Sequence, residues 1–146
     1  MDTWDAVTSR RNVRHFTDSP VEPAHLQKIL EAGRRSPSAS NRQPWDFVVV
    51  QERARLEQLA GVWQGAWHVA GAAAAIAVVA PEPANEREEQ ILYFDLGQAT
   101  ITMMVMAADL GIGTGHAAVA DQELARSLLG HPADHFCANI ISVGYS

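Results

Sequence analysis

Residues 85–110 read NEREEQILYFDLGQATITMMVMAADL, and this stretch decides which folds the chain can adopt. It predicts one long helix from Asn85 to Leu110, ended by Gly111. Its central part, Ala99, Ile101 and Met103 to Ala107, is apolar nearly all round. A helix with no polar face must be covered on every side. A chain of 146 residues has little surface to spare for that, so a second copy of the chain is expected to cover one side.

Working outward, Gly113 to Ala118 is a glycine-rich extended segment, Asp121 caps a helix reaching Leu129, and Ala138 to Val143 is the last strand. Upstream, Ala74 to Val79 reads as a buried strand closed by Pro81. Arg53 to Ala60 and Trp63 to Val69 read as short helices, and Trp45 to Val50 as a strand ending in three valines. Ser36 to Pro44 is a loop of small and polar residues, and Ser36 and Gln43, each before a proline, are expected to be extended. Glu22 to Arg35 is an amphipathic helix with Leu26, Ile29, Leu30 and Gly33 on one face. Asp2 or Thr3 caps a first helix running to Ser9. Helices and strands are mixed along the chain, which predicts one α+β or three-layer α/β domain over residues 1–146.

Composition narrows the function. The net charge of -6 leaves no general nucleic-acid footprint. The longest mainly apolar run, Val69 to Ala80, is short for a membrane span, which needs about 20 residues. Cys137 is the only cysteine, so neither an intramolecular disulfide nor a cysteine-based metal site is expected. The acidic N-terminus lacks the pattern of a signal peptide, and a cytoplasmic location is expected. The six histidines lack metal-ligand spacing.

Two segments carry chemistry. In Ser9-Arg10-Arg11-Asn12-Val13-Arg14-His15-Phe16, three arginines stand within five positions of a chain that has one lysine, Lys28. Arginine grips phosphate through a fixed fork of donors. If the first helix continues, Arg10 and Arg14 share a face. The cluster fits a solvated helix end equally well. The second segment is Ser36-Pro37-Ser38-Ala39-Ser40-Asn41-Arg42-Gln43-Pro44-Trp45. Its small residues let backbone amides approach a ligand, and its prolines limit the entropy lost on ordering. By composition alone it is an ordinary connection. Trp63 and Trp67 lie four apart and could form part of a pocket lid, with core packing the expected role.

Taken in order, these segments resemble the nitroreductase family of FMN enzymes. The match comprises Arg10 to Phe16, Ser36 to Trp45, and Ala107-Ala108-Asp109-Leu110-Gly111-Ile112-Gly113 at the end of the long helix. The resemblance implies a three-layer α/β/α sandwich with a central, mostly antiparallel sheet and a long buried helix at a homodimer interface. It implies that Arg10, Asn12 and their neighbour Arg11 lie at the FMN phosphate, Asn12 standing where the family usually has serine. Arg14 would lie beside the flavin pyrimidine edge. Pro37, Ser38, Ala39 and Asn41 would reach the flavin from the other subunit, and Ala118 and Val119 would lie near flavin N5. His116 is the one histidine expected near that pocket, in a structural or solvent-facing role. The family's usual arm beyond the last strand has no counterpart before Ser146.

The activity implied is hydride transfer from NAD(P)H through FMN to a small acceptor such as a nitroaromatic or quinone, in ping-pong order. The flavin carries the chemistry, so no catalytic side chain and no metal is called for. Flavin storage without turnover stays open, as do flavin destruction, reductive dehalogenation and deazaflavin use on the same fold.

Overall fold

The computed structural model describes residues 1–146, and its organisation follows from one strand with two buried faces. Strand β2 (Ala74–Pro81) sends Ala74, Ile76, Val78 and Ala80 into one core, and Ala75, Ala77 and Val79 into another. This is the two-residue alternation of a strand covered on both sides. Around it lie β1 (Asp46–Val50), β4 (His135–Gly144) and β3 (Gly113–Ala117), in the order β1-β2-β4-β3. All three ladders are antiparallel.

Helices α2 (Pro23–Arg34) and α4 (Glu86–Asp109) cover one face of the sheet. Helices α3 (Arg53–Leu59) and α5 (Gln122–Leu129), with 3₁₀ segments at Ala60–Val62 and Gln64–Gly71, cover the other. The result is the expected three-layer sandwich. Ile76, Ile140, Ile141 and Met103 are fully buried between the layers, each contributing about 1.5–3 kcal/mol of hydrophobic burial. Gly33 lets α2 close on α4, since a Cβ there would lie 2.7 Å from Met103 Cγ and Sδ.

Local signals set the ends of most elements. Asp2 caps α1 (Thr3–Ser9) by accepting from the Asp5 N–H at 2.8 Å. Asn85 and Asp121 cap α4 and α5 in the same way. Gly111, with φ of 74°, follows the end of α4.

Several expectations need correction. β2 continues to Pro81 and β4 begins at His135, because Pro81 and His135 face each other at the end of their ladder. The first strand begins at Asp46 rather than Trp45. Gln43 is left-handed, with φ of 52°, where the following proline predicted an extended residue. The turn closes on itself there, with Ser38 Oγ accepting from the Gln43 N–H at 2.9 Å. Trp63 and Trp67 are exposed rather than core residues, because the 3₁₀ segment turns Ala66, His68 and Val69 inward instead. Helix α4 is long and apolar enough to cross a membrane by length and composition, which the longest unbroken apolar run does not reveal. In this fold it is a core helix with Leu96, Ala99, Met103, Met104 and Ala107 buried. Nor is it covered all round within one chain: Phe94 is 69% exposed and Ile101 44%. With Gly97, where a Cβ would meet nothing within 4 Å, they form a stripe at seven-residue spacing along α4.

Candidate active site

The arginine segment leaves the helix before its first arginine. Helix α1 stops at Ser9, and Arg10 is extended, with φ of −60° and ψ of 128°. The expected helical face shared by Arg10 and Arg14 therefore does not form. Long-range pairing replaces it: Asn12 bridges Thr114 in parallel, and the Val13 N–H donates to the Thr114 carbonyl at 2.7 Å. The segment lies along the free edge of β3, with Val13 against Gly113 and the Val13 carbonyl against Gly115. Further on, the Thr17 N–H donates to the Tyr145 carbonyl at 2.7 Å, and Phe16 covers Gly144.

Arg14 stands two residues beyond the Asn12–Thr114 bridge, and its charge and that of His116 both reach the buried His68. Ala118 and Val119 follow at the end of the same strand. The edge of β3 thus carries Arg10, Arg11, Asn12 and Arg14, whereas Ala118 and Val119 lie beyond its end, Val119 packed against the second core. None of these three arginines holds a carboxylate, whereas Arg34 and Arg35 share Glu31 and Arg42 holds Glu88 at 2.9 Å. Arg10, Arg11 and Val13 line a cleft of about 210 Å³ together with Met104, Ala108 and Gly111 to Thr114.

The second segment lies elsewhere. Pro37, Ser38 and Ala39 face Gln90, Ile91, Phe94, Asp95 and Gln98 of α4 across a cleft of about 510 Å³. The two clefts share no lining residue. Their α4 residues centre near positions 94 and 106, roughly 18 Å apart along the helix at 1.5 Å per residue. Within one chain the loop and the arginines do not meet. Asn41 is exposed beside them, left-handed at φ of 53°.

Two buried polar groups escaped the sequence reading. Asp95 is 4% exposed, and its Oδ2 accepts from the Ala39 N–H at 3.0 Å. The available signal was a lone acid between Phe94 and Leu96 in an apolar helix. His68 is 1% exposed, and its Nδ1 lies 2.7 Å from Ser142 Oγ, which donates to the Gly115 carbonyl at 3.0 Å. Its imidazole is held below the usual histidine range by burial first, then by the charges of Arg14 and His116. Trp67 stands between His68 and His15, at ring separations of 5.8 and 5.3 Å. His116 is therefore not alone in this neighbourhood. Cys137 behaves as a small hydrophobe: burial pushes its thiol up to about 12.

Comparison with known proteins agrees with this architecture. The profile of the nitroreductase family matches residues 7–82. An Archaeoglobus fulgidus protein named "Putative NADH dehydrogenase/NAD(P)H nitroreductase" is 31% identical over 143 residues, covering 95% of this chain and 82% of that one. The 5,6-dimethylbenzimidazole synthase of Rhodospirillum rubrum is 28% identical over an alignment of 177 positions, covering 99% and 82%. An FMN-dependent nitroreductase from Clostridium difficile superposes with a TM-score of 0.88 at 25% identity, over 98% of this chain and 87% of that one. This chain belongs to the nitroreductase family and is an oxidoreductase of that type.

Proposed function

We propose that two copies of the chain bind FMN between them and pass hydride from NAD(P)H to a small acceptor such as a nitroaromatic or quinone. The observation that carries this reading is the strip from Arg10 to Arg14: three arginines without carboxylate partners, pinned to the edge of β3 beside an open cleft. In an acidic chain, uncompensated guanidinium groups fixed in this way suit a phosphate dianion. Arg10 and Asn12 would hold the phosphate, with Arg11 adding charge. Arg14 would stand at the pyrimidine edge, where its charge favours the reduced form. FMN, when bound, supplies the hydride relay between donor and acceptor.

The separation of the two clefts supports the dimer. An antiparallel pairing of two α4 helices through Phe94, Gly97 and Ile101 would carry the Pro37 to Asn41 loop of one copy toward the arginine strip of the other. Ala118 and Val119 would then border the ring from the β3 side. The test is to titrate flavin-free protein with FMN, then add NADPH or NADH without oxygen. Binding followed by bleaching of the flavin band supports the reading, and no uptake of FMN overturns it. Binding without bleaching identifies a flavin-storage protein.

A second reading rests on the Rhodospirillum rubrum relative. The product in its name carries the dimethylated benzene ring that FMN also contains. Mass spectrometry of the flavin pool after aerobic turnover distinguishes them: intact FMN supports hydride transfer, and conversion to dimethylbenzimidazole supports flavin destruction.

A further inference from the structure

Asp95 is the one acid in the buried middle of α4, and it faces a strained loop. Ser40, Asn41 and Gln43 all have φ between 52° and 53°, a left-handed conformation that costs non-glycine residues of order 1 kcal/mol each. Backbone bonds from the Asn41 N–H to the Ser38 carbonyl and from the Arg42 N–H to the Ala39 carbonyl close the turn, and three side-chain contacts add to them. Ser38 Oγ ties the turn internally to the Gln43 N–H, and Arg42 reaches Glu88 in an exposed ion pair. The third is the carboxylate of Asp95 on the Ala39 N–H; like the Arg42 pair it joins the loop to α4, and it does so from a buried side chain. A charge-assisted bond from a buried side chain holds geometry more firmly than an exposed ion pair.

The same turn of α4 points in two directions. Phe94 stands exposed at the mouth of the cleft it shares with the loop, and Asp95 turns inward to the Ala39 N–H. We propose that Asp95 is a positioning residue, which presets the Pro37 to Asn41 loop on the face that meets the partner's flavin and so ties flavin affinity to the placement of α4. This rests on the flavin-bridged dimer proposed above. Without the Asp95 contact the loop must be ordered when the flavin arrives, and that ordering is subtracted from affinity.

The test compares Asp95→Ala, Asp95→Asn and Ala39→Pro in the full-length chain. Ala39→Pro removes the donor with little change of backbone shape, since Ser38, at φ of −149° and ψ of 157°, already has the shape a following proline requires and Ala39 opens a helical turn; the cleavage rate reads loop release apart from any direct contact of residue 39 with the flavin. Two readouts are taken: the rate of tryptic cleavage after Arg42 in flavin-free protein, and the Kd for FMN. Light scattering on each variant separates loop release from loss of the dimer. Asp95→Ala is expected to speed cleavage at least fivefold and weaken FMN at least tenfold while remaining dimeric. Asp95→Asn should recover most of both, since its amide oxygen still accepts from Ala39. Ala39→Pro should weaken FMN by itself and add nothing to Asp95→Ala, which keeps the proposal testable if Asp95→Ala fails to fold. Unchanged cleavage and affinity in Asp95→Ala, or fully additive losses in the double variant, would overturn the proposal. A wild-type chain that takes up no FMN overturns the flavin reading instead, and the cleavage rates then still decide whether Asp95 anchors the loop.

Discussion

Gly115 carries no side chain at the point where the Val13 carbonyl oxygen lies against β3, and a Cβ there would collide with that oxygen. The glycine is what lets the arginine segment dock on the sheet edge. Gly115→Ala must push the segment outward, breaking the Val13 N–H bond to Thr114. Overpacking of this kind costs about 1–3 kcal/mol. Urea denaturation should show that loss, and FMN affinity should fall with it. A variant of unchanged stability and affinity would mean that the strip docks independently of Gly115.

Arg10→Ala should weaken FMN binding by about 1.5–3 kcal/mol, the range for a hydrogen bond to a charged group. Arg10 is half-buried at the cleft, whereas Arg11 is exposed, so Arg11→Ala should cost less. Calorimetric titration of flavin-free protein measures both. Equal losses would show that the cluster acts as diffuse charge.

Local chemistry made much of this fold readable. The Asp121 cap, the Gly111 stop, the β2 apolar run and the length of α4 each rest on residues close in sequence, and all appear in the structure. What was hidden depends on distant partners. The extended form of the arginine segment is imposed by Thr114, about a hundred residues away. Asp95 meets a backbone amide 56 positions away, and no periodicity announces a backbone partner. Gln43 adopts a left-handed shape because Ser38 Oγ captures its N–H, overriding the preference set by Pro44.

Ile101→Glu places a charge on the exposed α4 stripe, where one chain leaves the side chain 44% exposed. The isolated fold should tolerate this, within about 0.5 kcal/mol, as surface substitutions do. A dimer packed through α4 should not, since each charge would be buried against the apolar stripe of the partner subunit with nothing to pair it. Light scattering should report a monomer that keeps its far-ultraviolet circular dichroism and loses FMN. A dimer that survives would place the interface elsewhere.

His68 and His131 predict a particular pH dependence. Burial, followed by nearby positive charge, holds both below the usual histidine value of 6.5. Both ring nitrogens of His131 are buried without a partner. Each stays neutral in the folded chain while its unfolded counterpart takes up a proton near pH 6.5. Stability is therefore full above about 6.5 and falls as the pH drops from there through the folded values. The Glu31 carboxyl, held at about 2 by Arg34 and Arg35, acts only below its ordinary value of 4.5 and leaves the window from 6.5 to 5 to the histidines. Melting temperatures at pH 8, 6.5 and 5 should show the decline, and His131→Gln should flatten it. A flat wild-type profile would show that neither histidine resists protonation.

Arg14 tests the chemistry rather than the fold. It is exposed, makes no ion pair, and stands two residues beyond the Asn12–Thr114 bridge on the β3 edge. Beside a flavin pyrimidine ring, its guanidinium would stabilise the negative charge that reduction places there more than it stabilises the neutral oxidised ring. Its loss should make the bound flavin harder to reduce as well as looser. Arg14→Met keeps much of the volume and removes the charge, so its two-electron potential should fall, with slower hydride uptake in single-turnover mixing. Arg14→Lys should lie between, because it keeps the charge and loses the planar fork. Removing this cation should also relieve the neighbouring His68, raising its pKa toward the ordinary value, which NMR titration of the imidazole would report without any flavin present. A fully flavin-loaded Arg14→Met protein with an unchanged potential would reject the assignment of Arg14 to the pyrimidine edge. An unmoved His68 titration would separate Arg14 from the buried histidine as well.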